Sequence, residues 1–103
     1  MIDEETRANA VLALLDSVID PELGIGIVSL GLVYRITVDG DNIDIVMTLT
    51  VPGCPMHETI TRDVDRTLRT LPWVRNVAVN LTFDPQWTVE RLSAGARRAL
   101  GRA

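Results

Sequence analysis

The chain has 103 residues, 47% of them hydrophobic and 23% charged, which is enough for one domain with one core but not for two. A net charge of −4 argues against a nucleic-acid-binding protein, which usually carries a basic stripe. The single cysteine excludes an internal disulfide, no apolar run approaches the ~20 residues that span a bilayer, and the acidic N-terminus lacks a signal-peptide pattern. We therefore expect one domain, residues 1–103, in the cytoplasm, without membrane or nucleic-acid contact.

The first predicted element is an amphipathic helix over residues 4–19. Asp3 is a suitable N-cap, and Pro21 ends the helix because it disfavours helical geometry at Asp20. The apolar residues recur at helical spacing along one face: Ala8, Val11, Leu12, Leu15, Val18 and Ile19.

Two strands are predicted next. From Val28 to Val38 the apolar period is two, a turn follows at residues 39–42, and a second alternation runs from Ile43 to Leu49. Two such runs joined by a short turn are typical of an antiparallel hairpin with one buried face.

The rest of the chain predicts a second helix from about Met56 to Thr70, a third strand from Val77 to Phe83, and a last helix that Thr88 caps and Gly101 ends. The order helix-strand-strand-helix-strand-helix predicts a two-layer α/β (α+β) fold, with helices on one face of a small three-stranded sheet. The crossover favours a third strand parallel to the second. Its strand order is left open, with a position beside the first strand favoured.

The segment between the second strand and the second helix holds the only cysteine, Cys54, and the only histidine, His57. At a helix start, unpaired N–H groups and the helix dipole favour thiolate, and can lower the pKa of a thiol from ~8.5 into the range ~3.5–7.5. The alternative for Cys54 is a small buried hydrophobe. His57 is a metal ligand, a base for the thiol, or a surface residue of the first turn. Two ligands do not complete a four-ligand site, so any metal here is transient or shared.

Four further residues are candidates for this site. Asp20 and Glu22 flank a rigid proline, and either bind metal or accept a proton beside Cys54, or simply form a solvated turn after the helix. Thr50 offers a hydroxyl to a pocket near Cys54, or is there for β-propensity. Trp87 either packs internally or presents its indole to a partner protein.

Taken in order, four segments resemble a known family: residues 20–24 (Asp-Pro-Glu-Leu-Gly), 27–34 (Ile-Val-Ser-Leu-Gly-Leu-Val-Tyr), 47–56 (Met-Thr-Leu-Thr-Val-Pro-Gly-Cys-Pro-Met) and 81–87 (Leu-Thr-Phe-Asp-Pro-Gln-Trp). This is the small metal–sulfur cluster assembly domain family of SufT-like and PaaD-like proteins, formerly domain of unknown function fifty-nine. The resemblance covers nearly the whole chain. It implies the fold of iron–sulfur cluster assembly domains and a role in maturing or delivering clusters, not enzymatic turnover.

The resemblance also assigns residues. The characteristic cysteine of the family falls on Cys54, its Asp-Pro-Glu motif on Asp20 and Glu22, and its threonine before Pro-Gly-Cys on Thr50. The sequence departs from the family at Ser29, often Asp or Asn there, and at Gln86, often Pro. PaaD-type members carry a further cysteine-rich C-terminal segment that this sequence lacks, so a stand-alone assembly factor is expected.

The leading prediction is a cytoplasmic accessory factor for iron–sulfur cluster assembly or transfer, with the Cys54 thiolate as a labile ligand. Its cargo is a transient cluster or iron, none held tightly by a single chain, and its partners are iron–sulfur assembly proteins or apo-client proteins. A homodimer would bring two copies of Cys54 together. Two alternatives stay open: an adaptor that docks other assembly proteins without binding metal, and a thiol-dependent transferase with His57 as base.

Overall fold

The computed structural model describes residues 4–21, 23–50 and 57–96. The elements are α1 (Glu4–Leu15), β1 (Val33–Asp39), β2 (Asn42–Met47), α2 (His57–Leu68), β3 (Asn76–Leu81) and a short 3-10 helix (Val89–Arg91). The predicted two-layer α/β fold and the order helix-strand-strand-helix-strand are confirmed. The predicted caps and ends at Asp3, Met56 and Gly101 lie outside the described residues.

The sheet has the order β1-β2-β3, with β2 in the centre. β1 and β2 form the predicted antiparallel hairpin, and β3 runs parallel to β2 as predicted. The favoured position of the third strand beside the first is wrong, because β3 pairs with β2. This arrangement places the most buried strand in the middle, where Ile43, Ile45 and Met47 are at most 1% exposed.

Both helices pack on one face of this sheet, as predicted. Among the residues that the structure describes, the core is a single cluster that takes side chains from both helices and from β1 and β2. Its members on the helices and on β2 are Val11, Leu15, Ile60, Val64, Leu68, Ile43, Ile45 and Met47. Because the helices cover only one face, residues of the opposite face of β1, such as Arg35 and Thr37, are exposed.

Helix α1 ends at Leu15, four residues before the predicted end at Ile19. The N–H groups of Ser17 and Val18 donate to Leu14 O and Leu15 O, and the Ser17 hydroxyl donates to Leu14 O at 2.6 Å. These bonds satisfy carbonyls that a continuing helix would use, so the last turn tightens and stops. Pro21 therefore follows the end of the helix and does not cause it.

The first strand starts at Val33, not at Val28. Residues 27–32 form turns, in which Leu30 N donates to Gly26 O and Gly31 N to Val28 O, both at 3.0 Å. We call residues 27–32 the motif loop. Its alternating apolar residues resemble a strand because Leu30 and Leu32 are both buried, yet Gly31 has a φ of +77°, which a regular strand does not contain.

The predicted continuous helix from Thr88 is also wrong. Val89–Arg91 is only a 3-10 turn, Thr88 makes no side-chain capping bond, and Val89 is 63% exposed. Helical geometry resumes at residue 94. There the Ser93 hydroxyl oxygen accepts a hydrogen bond from Ala96 N at 3.1 Å, which is the geometry of an N-cap. The capping residue is therefore Ser93.

Of the helices in residues 4–21, 23–50 and 57–96, none has the length and apolar character needed to cross a membrane.

Candidate functional site

The site begins where the central strand ends. After β2, Thr48 is fully buried, Leu49 is 2% exposed, and Thr50 is partly exposed. Helix α2 is described from His57, and Cys54 falls between Thr50 and His57 in the sequence. Residues 51–56 lie outside the described residues, and the predicted thiolate at Cys54 stays a prediction.

The motif loop braces this strand end. Leu32 O accepts a hydrogen bond from Thr48 N at 2.8 Å, and Leu32 N donates to Ile27 O at 3.0 Å. The contact between Leu32 and Thr48 extends the β1–β2 pairing by one residue pair beyond Val33 and Met47. It fixes the backbone just before the segment that carries Cys54.

Asp16, which the sequence analysis did not single out, anchors the motif loop to the end of α1. Its two carboxylate oxygens accept from Ser29 N and from the Ser29 hydroxyl, both at 3.0 Å. Ile27 N also donates to Val18 O at 2.9 Å. A Cβ at Gly26 would overlap Asp16, so the close approach of the two backbones requires glycine there.

Residues 82–93 form a C-terminal arm that holds the motif loop from the other side. The indole N–H of Trp87 donates to Leu30 O at 2.7 Å, and Ser93 N donates to Ser29 O at 2.8 Å. The arm starts beside the same strand end, since Thr82 N donates to Met47 O at 2.9 Å. Trp87 is partly buried and uses its only polar group within the chain, and the predicted partner surface at this residue stays a prediction.

Tyr34 and Arg91 complete the attachment of the arm. The Tyr34 hydroxyl donates to Pro85 O at 2.7 Å, and the Arg91 guanidinium lies over the Tyr34 ring, 4.6 Å from its centre. Between them is an open cavity of about 440 Å³, lined by Gly31, Val33, Tyr34, Pro85 and Arg91. Of the predicted site residues that the structure describes, none lines this cavity. A tyrosine inside an otherwise aliphatic motif was the only sequence signal for this contact.

Asp20 organises its own loop. The residue is 3% exposed, and its carboxylate accepts from Leu23 N at 3.0 Å while its carbonyl accepts from Gly24 N at 2.8 Å. A backbone bridge between Ile19 and Gly26 closes the loop. Asp20 is therefore a buried residue whose carboxylate holds the loop together, and not a solvated turn residue. Glu22 lies outside the described residues, so the predicted grouping of Asp20, Glu22 and Cys54 stays a prediction.

Within the described ranges, no group of three or more His, Cys, Asp or Glu residues is placed to hold a metal ion. What the structure does bring together is the set of sequence motifs. The motif loop, the start of the C-terminal arm and the end of β2 are joined by direct backbone bonds.

The fold and this arrangement define a class: a small α+β domain whose motif segments secure the strand end that leads to a single cysteine. The iron–sulfur cluster assembly protein family matches residues 8–81, and the chain belongs to that family.

The chain is similar to curated relatives along nearly its whole length. It is 41% identical over 99 residues to the Fe-S protein maturation auxiliary factor YitW of Bacillus subtilis, covering 95% of this chain and 97% of that one. It is 47% identical over 85 residues to the Fe-S protein maturation auxiliary factor SufT of Staphylococcus aureus, covering 82% and 97%.

A solved structure shares the fold. The crystal structure of a domain of unknown function, DUF59, from Bacillus anthracis aligns with a TM-score of 0.93 at 46% identity, over 97% of this chain and 96% of that chain. The resemblance stated from the sequence motifs is thus confirmed for both family and fold.

Proposed function

We propose that this protein is an accessory factor in iron–sulfur cluster assembly or transfer, acting in the cytoplasm without catalytic turnover of its own. The observation that carries the proposal is the family match over residues 8–81. Relatives named as Fe-S protein maturation auxiliary factors support it, because they align over almost their full length. Its partners are iron–sulfur assembly proteins or the apo-client proteins that receive clusters.

In this proposal the Cys54 thiolate is the labile ligand. The cluster is cargo: an iron–thiolate bond to Cys54 forms as one bond to the donor breaks, and a thiolate of the client later replaces Cys54. A single thiolate does not complete the coordination of a cluster, so the remaining ligands come from the partner, and release stays easy. The hydrogen bonds from Thr48 N to Leu32 O and from Thr82 N to Met47 O support this role, because they fix the backbone at the end of β2, shortly before Cys54 in the sequence.

The other candidate residues receive supporting roles. Asp20 is a positioning residue, since its carboxylate is buried and binds the backbone of its own loop. We assign Glu22, His57 and Thr50 auxiliary roles next to Cys54, as polar neighbours of the thiolate or of the cargo.

Anaerobic reconstitution with ferrous iron and sulfide tests the proposal. We expect the wild type to acquire iron and visible absorption, and Cys54→Ser to acquire neither. The matched control is Cys54→Ser combined with Thr37→Cys, which moves the only thiol to an exposed position of β1. This control reveals whether any exposed thiol binds iron adventitiously.

The outcomes separate the candidate functions. Iron binding that survives in Cys54→Ser, or appears equally in the relocated-thiol control, would contradict the role of Cys54. If none of the three proteins binds iron, the adaptor function replaces the carrier function. A wild type that loads cluster and passes it to an apo-client, in a Cys54-dependent way, supports transfer.

A further inference from the structure

The two edges of the sheet differ in how they are protected. β1 carries the exposed charged residues Arg35 and Asp39 and has a register irregularity between Val33 and Arg35. Charges and irregular pairing are the usual means by which an edge strand avoids pairing with another chain. β3, in contrast, has no charged residue from Asn76 to Leu81 and forms the other edge.

The outer edge of β3 is unpaired within the described residues. β3 pairs with β2 along its inner edge only. The side-chain amides of Asn76 and Asn80 also turn inward, donating to the Asn42 side-chain oxygen at 2.7 Å and to Ile45 O at 3.3 Å. The polar side chains of β3 therefore reinforce the β2 contact.

The core surface continues to this edge. Val77, Val79 and Leu81 lie on the same face as the fully buried residues of β2, yet each remains only partly buried. A further strand beside β3 would extend the sheet and cover these side chains. The edge is thus uncharged, regular and apolar on one face.

The sequence of β3 indicates what covers it. Asn76-Val77-Ala78-Val79-Asn80 reads the same in both directions. We propose that β3 pairs antiparallel with β3 of a second copy of this chain, about a two-fold axis through Ala78. Val77 then faces Val79 of the partner subunit on the core side, Asn76 faces Asn80 of the partner subunit on the outer side, and Ala78 faces its own copy.

This pairing is self-complementary. Each residue of one β3 strand from Asn76 to Asn80 lies opposite a residue of the same type in the other. The small side chain of alanine on the axis leaves room for close approach of the two backbones. A two-fold contact between identical edges closes the assembly, whereas pairing β3 with the charged β1 edge of another copy would continue into a filament. The result is one continuous sheet through both protomers.

The dimer also determines where the two β2 strands end. Because the two β3 strands run antiparallel, the β2 strands end on opposite sides of the joint sheet, with the two Met47 residues separated by about 25 Å. The two strand ends that precede residues 51–56 therefore lie at opposite ends of the joint sheet. The proposed β3 interface does not depend on the proposed function in cluster assembly.

Molar mass measured by light scattering after size-exclusion chromatography tests the inference. We expect the wild type to be a dimer, and Ala78→Lys to have half that mass, because two like charges would face each other on the axis. Ala78 is exposed in the single chain, so the substitution leaves the fold intact, which circular dichroism checks. The matched control, Thr37→Lys on exposed β1, is expected to stay dimeric.

Two further measurements fix the register. Mixing Ala78→Lys with Ala78→Glu is expected to restore the dimer mass, since opposite charges then face each other. In a Cys54→Ser background, Ala78→Cys is expected to form a disulfide-linked dimer on mild oxidation, and Thr37→Cys is not. A wild type that stays monomeric at millimolar concentration, or a folded Ala78→Lys that stays dimeric, would overturn the proposal.

Discussion

Asp16 shows how one side chain outside any motif determines where a motif lies. It is partly buried, and both of its carboxylate oxygens are used by Ser29. Nothing in the local sequence marks it, because its partner is 13 residues away. Cys54, in contrast, is singled out by sequence alone, because Pro-Gly-Cys-Pro directly precedes a predicted helix, and its role stays a prediction. Local composition therefore did not predict the role of Asp16, because a tertiary contact determines that role.

We predict that Asp16→Ala lowers the free energy of unfolding by about 1–3 kcal/mol, because it leaves Ser29 N and the Ser29 hydroxyl without their acceptor. Ser29→Ala should cost less, since it removes the hydroxyl and keeps the backbone bond. Urea denaturation of both single variants and of the double variant measures the coupling. The carboxylate does not anchor the motif loop as described if both single substitutions lower the free energy of unfolding equally and the double variant loses the sum of the two amounts.

The motif loop and the C-terminal arm show what was and was not predictable for elements. The alternation in β2 predicted the buried strand correctly, because the apolar period determines which face of a strand is buried. The same alternation misplaced the start of β1, since Leu30 and Leu32 are buried although they lie in the motif loop and not in a strand. A period of two indicates which side chains are buried, but it does not exclude a turn where a glycine permits a positive φ.

Gly31 is the position where the two elements touch. Its φ is +77°, and a Cβ there would overlap the carbonyl of Arg91. Gly40, in the β1–β2 turn, has a φ of +63° but open space around it. Gly40→Ala should therefore lower the free energy of unfolding by about 1–2 kcal/mol, which is the cost of holding a residue with a Cβ in the left-handed conformation.

We predict that Gly31→Ala costs more than Gly40→Ala, because the arm must also move away from the motif loop. Urea denaturation compares the two variants, and fluorescence of Trp87 in a Trp73→Phe background reports the arm. We expect a red-shifted emission in Gly31→Ala and no shift in Gly40→Ala. Equal stability losses with unchanged emission in both variants would show that the contact between Gly31 and Arg91 contributes nothing.

At the scale of the molecule, the sequence-based prediction of one domain rests on the length of the chain and on the pattern of its apolar residues. The structure adds that a single hydrophobic cluster includes buried residues from both helices and from β1 and β2, with β3 and the arm packed against it. Its two tryptophans lie in different regions: Trp73 follows α2 and stacks with Arg7, whose guanidinium is 4.3 Å from the ring centre, whereas Trp87 lies on the arm.

One core predicts one cooperative transition, since the residues that the structure describes form no second hydrophobic cluster that could stay folded alone. We therefore expect the fluorescence of Trp87 in Trp73→Phe, and that of Trp73 in Trp87→Phe, each to change at the same urea concentration as far-UV circular dichroism of the same variant. Comparing the two probes within one variant removes any effect of the substitution on stability. If Trp87 changes at lower urea than the circular dichroism, the arm unfolds as a unit of its own. The motif loop would then lose its outer support before the core opens.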